Sequence, residues 1–277
     1  MSEAIKVASF NLKRDSLLAY LNRQNAWSSR RNLISSIIRS SNATIVGVQE
    51  LIPSMREDIK KLLSTDYSIR GFGRAKSLGD EQAAIILKND DVTVSFDKTF
   101  WLSKHPEKNG SRAYYAFFPR ICTVCEAYVR EFDRKIRVFN THFDHVCGMA
   151  RNLSVRIILE YMHRLNQEEK LPTILMGDLN ARPDSRPIRV LSENLHEYPE
   201  IHLTNVWNCV DTSTSQIGST YHGFKGKTDG RPIDYIFVSD EFVVDEAYID
   251  RTNFNGRYPS DHYPLMAVLR LKDLGTE

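Results

Sequence analysis

Met176-Gly177-Asp178-Leu179-Asn180-Ala181-Arg182-Pro183-Asp184-Ser185 follows directly on Thr173-Ile174-Leu175. An apolar run stops at a glycine, and an acid and an amide then appear two residues apart. Side chains at i and i+2 of a strand face the same side. Asp178 and Asn180 should therefore point together into whatever lies beyond the strand end. A hydrolase that must hold both a water and a phosphate oxygen can use that pairing, and so can an ordinary capped turn.

Outward from this stretch the chain alternates strands and helices. Apolar runs at residues 5–12, 44–48, 67–71, 83–87 and 92–96 read as strands, and residues 121–132 and 136–142 flank Asp133-Arg134 as a hairpin. The last strands are expected at 173–176, 233–238, 242–249 and 265–271. Helical spacing marks residues 30–39, a segment opened by Pro53, residues 148–166, and a short piece at 188–195. No linker, low-complexity run or fixed-period repeat interrupts the 277 residues. The pattern predicts one layered α/β domain over 1–277, with two sheets packed face to face and helices outside.

Composition narrows the function classes. With 42% hydrophobic residues the chain can bury a large core, and a net charge of +2 excludes a global polybasic surface. A nucleic-acid role would need a local basic cleft. The first residues lack the apolar core of a signal peptide, and no run approaches a membrane helix. Four cysteines in this length do not form a disulfide scaffold. A cytoplasmic enzyme in a reducing environment, with no membrane and no obligate protein partner, is the expectation. Cys122-Thr-Val-Cys125 has the spacing of a metal or redox pair. In a strand, however, i and i+3 face opposite sides, so two buried thiols are expected.

Polar residues collect at strand ends: Asn11, Gln49-Glu50, Asn140-Thr141-His142, Asp178 with Asn180, Asp234, and Asp261-His262. Ligand sites in layered sheets gather at such ends. Singly, each has a structural reading: a turn residue for Asn11, a first-turn helix charge for Glu50, a core histidine for His142, a turn cap for Asp261. Asp234 is different, because a carboxylate inside Ile-Asp-Tyr-Ile-Phe-Val needs a buried partner, and His262 is a candidate. Together they fit metal-assisted phosphoester hydrolysis. Glu50 offers hard oxygen to Mg²⁺ or Mn²⁺, with Asn11 and Asp261 completing or supporting the shell. Asp178 would take a proton from water, Asn180 would fix water or phosphate, and His142 and an Asp234-oriented His262 would neutralise phosphate oxygens.

At these residues the chain resembles the endonuclease/exonuclease/phosphatase superfamily, with its DNase I-like fold. Ser9-Phe10-Asn11, Val48-Gln49-Glu50, Phe100-Trp101-Leu102-Ser103, Asn140-Thr141-His142, Gly177-Asp178-Leu179-Asn180, Ile233-Asp234-Tyr235-Ile236 and Ser260-Asp261-His262 occur in family order. The resemblance implies a four-layer α/β sandwich, two packed mixed β-sheets flanked by helices, and divalent-metal hydrolysis of phosphoesters. It implies Glu50 as the metal carboxylate with Asn11 and Asp261 beside it, and Asp178 with Asn180 orienting water and phosphate. It also implies phosphate contacts from His142 and His262, with Asp234 paired to His262. Lys13 stands where abasic-site endonucleases carry an acid, which argues against that branch. The motifs look closer to the deadenylase and nocturnin catalytic domain, and closest to microbial homologues with Asp144-His145 followed by Ala150-Arg151.

On the substrate side, Arg120, Asn140 and Arg151 are candidate contacts. Arg112-Ala-Tyr114-Tyr115-Ala-Phe117-Phe118-Pro-Arg120 interleaves aromatics with cations. The expectation is that these rings pack in a core or loop, with base stacking as the alternative. Residues 212–230 read as a long active-site loop. The expected substrate is a phosphodiester of RNA or single-stranded nucleic acid, with a 3′-5′ ribonuclease of deadenylase type as one form. The alternatives are a phosphatase or diesterase acting on small phosphorylated metabolites and, more remotely, a non-catalytic binding module.

Overall fold

A computed structural model describes residues 4–16, 23–209 and 217–272. Twelve strands and four α-helices are described: β1 (Ile5–Asn11), α1 (Trp27–Ser41), β2 (Ile45–Leu51), α2 (Pro53–Leu63), β3 (Tyr67–Arg70), β4 (Gln82–Lys88), β5 (Val92–Trp101), β6 (Ile121–Val129), β7 (Arg134–His142), α3 (Gly148–Glu168), β8 (Thr173–Asp178), α4 (Arg186–Ser192), β9 (Leu203–Asn205), β10 (Asp234–Ser239), β11 (Phe242–Ile249) and β12 (Leu265–Leu271). They form two mixed six-stranded sheets, ordered β11-β12-β1-β2-β4-β3 and β5-β6-β7-β8-β10-β9.

Strand alternation builds the layers. Val7, Ile45, Ile85, Val138, Ile174, Met176 and Ile236 share the core between the sheets. Their neighbours Ala8, Val46, Val48 and Ile86 face the other way, under Ile34 and Ile38 of α1 and Met55 and Ile59 of α2. Phe139, Leu175 and Phe237 likewise meet Ile158 and Met162 of α3 and Ile188 of α4. Both faces of the central strands are covered, which is why they read as continuous apolar runs. This is the expected four-layer DNase I-like sandwich.

Several boundaries differ from the sequence reading. β5 runs five residues beyond the expected 92–96, because its pairing with β6 persists to Trp101↔Ile121 past a register shift between Val94 and Phe96. β6 stops earlier, where Arg130–Phe132 form a 3₁₀ turn into the hairpin. The three-residue β9 had no sequence signal of its own, and α4 starts earlier than expected at Arg186 because Pro187 fits a first helical turn. Of the anticipated loop at 212–230, residues 212–216 lie outside the described residues. Cys122 and Cys125 are buried and unpaired on opposite faces of β6, as the spacing argued, and burial raises both thiols, Cys125 to about 12. Among the described residues no helix is long and apolar enough to cross a membrane.

The topology gathers the polar strand ends at one edge. β1 and β2 run parallel and end there, as do β7 and β8. β4, β6, β10 and β12 run antiparallel to those neighbours and begin there. On reaching this edge the apolar layer between the sheets turns polar. Asn11, Gln49, Asn140, Asp178 and Asp234 take the inward positions that Val7, Ile45, Val138, Met176 and Ile236 hold further in.

Candidate active site

His142, Asp178 and Asp234 form one row across the second sheet, because Asp178 is in register with His142 on β7 and with Asp234 on β10. Paired residues project to the same face, here towards the first sheet. Asn11 meets this row from β1, donating from Nδ2 to Asp178 Oδ2 at 3.0 Å and to Glu50 Oε1 at 3.1 Å. Asp178 Oδ1 accepts the Asn180 backbone N–H at 2.9 Å. The motif is therefore a capped turn and part of the polar cluster at once. Strand periodicity is not what brings Asn180 to the cavity, however. β8 ends at Asp178, and Asn180 turns in through a left-handed backbone (φ 47°).

Glu50 is delivered by a similar departure from regularity. The β2–β4 register shifts between Val48 and Leu51, and Glu50 sits in that bulge with φ 60°. A bulge re-aims a side chain that would otherwise face the helices. Its Oε2 accepts the Arg14 backbone N–H at 2.8 Å. Lys13 is also left-handed (φ 55°), so three residues of this cluster hold backbone conformations that cost non-glycine residues energy.

These groups line an open cavity of about 560 Å³ with Glu50, Asp178, Asn180, Asp261, His142 and His262 on its walls. Asp234 lies behind them, fully buried, and its Oδ2 is 2.9 Å from His262 Nδ1. Burial opposes charge on His262, but Asp234, Asp178 and Asp261 outweigh it and raise its pKa to about 10. His142 goes the other way: burial, reinforced by Arg120 and Arg74, holds it well below the ordinary histidine range. Burial and the neighbouring Asp234 raise Asp178. One histidine is therefore a cation and the other neutral, with their Nε2 atoms 3.7 Å and 3.6 Å from the same Asp178 oxygen. Groups whose pKa values are pushed apart in this way can divide acid, base and electrostatic work between them.

Two donor groups could take a divalent cation. Glu50 and Asp261 are carboxylates on the cavity wall, and Lys13 already places an ammonium 3.2 Å from Asp261 Oδ2. Glu50 stays ionised despite burial, through Lys13, the Arg14 N–H and Asn11. An oxygen-rich, anionic set that attracts a cation fits Mg²⁺ or Mn²⁺. Asn11 is buried behind these two carboxylates: its Nδ2 donates to Glu50 and Asp178, and its Oδ1, the atom that would ligate a cation, accepts the Lys13 backbone N–H at 2.9 Å. Asp178, Asp234 and His262 also bring one ligand atom each within 4.8 Å of one another. A cation there would have to displace the proton that His262 holds.

The expected substrate contacts divide. Arg120 reaches the cavity, fixed by His145 Nδ1 at 2.9 Å. Asn140 does not: it is fully buried, donates to Val48 O and Ala84 O, and accepts from Gln49. It ties the two sheets together, because an amide at an inward position meets the opposite sheet before it meets solvent. Arg151 donates to Asp144 O and does not line the cavity, so it braces the loop after β7. Sequence reasoning did not place Arg74 and Glu81 at the site. Arg74 pairs with Glu81 at 2.8 Å and with Asp80 at 3.0 Å, and no local motif marks either residue.

The aromatic segment is a correction of another kind. Tyr114, Tyr115, Phe117 and Phe118 are 74%, 68%, 68% and 46% exposed, so they do not pack in a core. The residues that do are the alanines between them, Ala113 and Ala116, set against Ala150 of α3.

Comparison with known proteins agrees with the geometry. The chain is 24% identical over 259 residues to an uncharacterized protein of Acanthamoeba polyphaga mimivirus, covering 87% of this chain and 91% of that one. A Bacteroides thetaiotaomicron endonuclease/exonuclease/phosphatase family protein superposes with TM-score 0.89 at 25% identity, over 99% of this chain and 97% of that one. The B. thetaiotaomicron mannosyl-6-phosphatase Bt3783 gives TM-score 0.86 at 26% identity, over 96% and 99%. The human nocturnin catalytic domain, at 17% identity, shares the fold with TM-score 0.73 over 98% and 96%. The sequence profile described as "Endonuclease/Exonuclease/phosphatase family" matches residues 8–262, and the chain belongs to that family.

Proposed function

We propose that the chain is a divalent-metal-dependent phosphoester hydrolase whose substrate is a phosphodiester of single-stranded nucleic acid, RNA in particular. The observation that carries the hydrolase reading is the Asp234–His262 pair, 2.9 Å apart. It sets a charged imidazole beside Asp178 in the cavity that Glu50 and Asp261 also line. Glu50 and Asp261 would hold a Mg²⁺ or Mn²⁺ ion, which would supply Lewis-acid polarisation of the phosphate. Asp178 Oδ1 is fixed by the Asn180 N–H, and its Oδ2 is held by Asn11 and approached by both histidines. That carboxylate orients a water and takes its proton. Asn180 Nδ2 is used on Phe143 O at 3.1 Å, so its amide oxygen is the atom left to fix the water. His262 stabilises charge that develops on the phosphate oxygens, and Arg120 adds a second cation. His142, held neutral, donates a hydrogen bond without adding charge.

A second reading is hydrolysis of a small phosphorylated sugar, favoured by the likeness to a mannosyl-6-phosphatase at 26% identity. The two are separated by offering poly(A) RNA, single-stranded DNA, abasic duplex and sugar phosphates with Mg²⁺, with Mn²⁺ and with chelator. Metal-dependent cleavage of the single-stranded substrates supports the first reading, and cleavage of sugar phosphates alone replaces it. Asp178→Asn should abolish turnover with the circular dichroism spectrum unchanged. A fully active variant would sink the assigned role.

A further inference from the structure

The segment between β5 and β6 inverts the usual rule of burial. Its small residues, Ala113 and Ala116, are buried, and its large ones, Tyr114, Tyr115 and Phe117, are at least two-thirds exposed. Hydrophobic burial alone would favour the opposite arrangement, since fully burying an aromatic contributes about 1.5–3 kcal/mol. The backbone is specialised to keep it so. Tyr115 is left-handed (φ 65°), a conformation that costs a non-glycine residue energy. Arg112 Nη1 closes the loop on Phe117 O at 3.2 Å. The Tyr114 and Tyr115 rings meet edge to face, with centroids 4.4 Å apart at 76°, so they present differently oriented surfaces. Exposed contiguous apolar surface of this sort marks an interaction site.

Its position says what kind. Phe118, the last aromatic of the segment, lies in the wall of the catalytic cavity, with the Arg74 guanidinium 4.8 Å from its centroid. Tyr114 is four residues away, at most about 14 Å along an extended chain. A ligand lying on these rings therefore continues into the cavity, where Arg120 is held by His145 with its nearest carboxylate, Asp144, 3.7 Å away, and where Arg74, Arg14 and Lys13 are cations already paired with Glu81, Asp80 and Asp261. Flat apolar faces followed by cations match a ligand in which aromatic rings alternate with phosphates. A bilayer surface could touch the rings but could not enter the cavity. A hexose phosphate could enter the cavity without reaching Tyr114.

We infer that Tyr114, Tyr115, Phe117 and Phe118 form a stacking platform for unpaired bases of single-stranded nucleic acid, feeding the strand past Phe118 to the catalytic cavity. The inference rests on the phosphodiesterase reading and names its specificity element. Bases stack on the rings while the phosphate next to the scissile bond meets Arg120. Stacking is indifferent to sequence because every base has a π-face, so the platform selects single strands over duplexes.

The test compares the wild type with a triple variant, Tyr114→Ser, Tyr115→Ser and Phe117→Ser. All three residues are exposed, and thermal melting checks that the fold survives. Binding of a fluorescein-labelled 12-nucleotide oligo(U) is read by anisotropy in an Asp178→Asn background. Cleavage of the same oligonucleotide and of bis-p-nitrophenyl phosphate is read with Mn²⁺ in the active enzyme. The triple change should weaken binding by about 100-fold or more, since each stacked ring carries about 1–3 kcal/mol. The ratio of kcat/KM for the oligonucleotide to that for the small diester should fall to match. Unchanged oligonucleotide affinity overturns the platform, as does a wild type that binds no oligonucleotide. So does a variant that loses binding only to phosphatidylserine vesicles. Failure of the wild type to cleave bis-p-nitrophenyl phosphate would instead strike the phosphodiesterase reading, so the two failures are distinguishable.

Discussion

Asn11 on β1 donates to Asp178 on β8 at 3.0 Å, joining the two sheets at the point where their shared layer turns polar. The same amide nitrogen holds Glu50 at 3.1 Å, so one side chain sets the spacing between the carboxylate assigned to water and the carboxylate assigned to metal. Neither sheet alone contains this arrangement. It exists only once the sandwich has packed.

Asn11→Ala should therefore lower both kcat and metal affinity, though Asn11 does not line the cavity. Removing a residue that orients metal ligands typically costs about 10- to 100-fold. Leaving the buried Asp178 and the half-buried Glu50 short of a donor should also lower stability by about 1–3 kcal/mol. Manganese-dependent steady-state kinetics and urea unfolding measure the two effects. Wild-type metal dependence in the variant would show that Asn11 is only a turn residue.

The pH profile follows from the opposite shifts at the cavity. Asp178 works as a base only when ionised, and burial with Asp234 raises its pKa. Activity should therefore be lost as pH falls through a limb well above the usual aspartate value of about 3.9. His262 is needed as a cation and keeps its proton up to about 10, so activity should persist into moderately alkaline solution. Asp234→Asn removes the largest of the charges that raise His262, and the alkaline limb should move towards lower pH. A kcat/KM profile of the wild type and this variant checks both limbs. An acid limb at the ordinary aspartate value, or an alkaline limb unmoved in the variant, would contradict the assignment.

Much of this site was legible because strand alternation and strand-end position are written in local sequence. Asp234 stands out as a carboxylate within an apolar run that needs a buried partner, His262 is one candidate for it, and the pair is 2.9 Å apart. What was not legible depends on contacts between distant segments. Asn140 looked like a substrate ligand because it ends a strand near His142, but an inward amide one turn of the pleat further in meets the other sheet instead. Arg74 reaches the site from an irregular loop with no motif. The bulge at Glu50 is a consequence of register between β2 and β4, and the left-handed backbone at Lys13 and Asn180 falls just past strand ends, where alternation no longer says where a side chain points. The aromatics of residues 114–118 carried a hydrophobicity signal that pointed to burial, and the structure exposes them.

Lys13 gives a prediction about the metal itself. Burial opposes its charge, but Glu50 and Asp261 outweigh it and raise its pKa, so it is an ammonium at neutral pH. It is paired with Asp261 and attracted by Glu50, the two carboxylates that would bind a divalent cation, and it repels a second positive charge there. Lys13→Met should bind Mn²⁺ about tenfold more tightly, equivalent to about 1.4 kcal/mol, by titration calorimetry without substrate. Weaker or unchanged binding would mean that Lys13 positions the carboxylates and does not compete with the metal.

Gly47 supplies a test of how closely the sheets must approach for the site to form. It lies on an inward position of β2, and a Cβ built there would sit 2.6 Å from Met176 Sδ and 2.7 Å from Asn140 Oδ1. Met176 can yield, because its side chain is flexible. Asn140 cannot move without breaking its bonds to Val48 O, Ala84 O and Gln49. Gly47→Ala should therefore destabilise by about 1–3 kcal/mol, the usual cost of overpacking a filled core. It should also lower activity, because any widening at Gly47 separates Asn11 from Asp178, the contact that bridges the sheets. Urea unfolding gives the first quantity, and kcat at saturating Mn²⁺, below the unfolding transition, gives the second. A variant as stable and active as the wild type would show that the inter-sheet spacing is not set at this glycine.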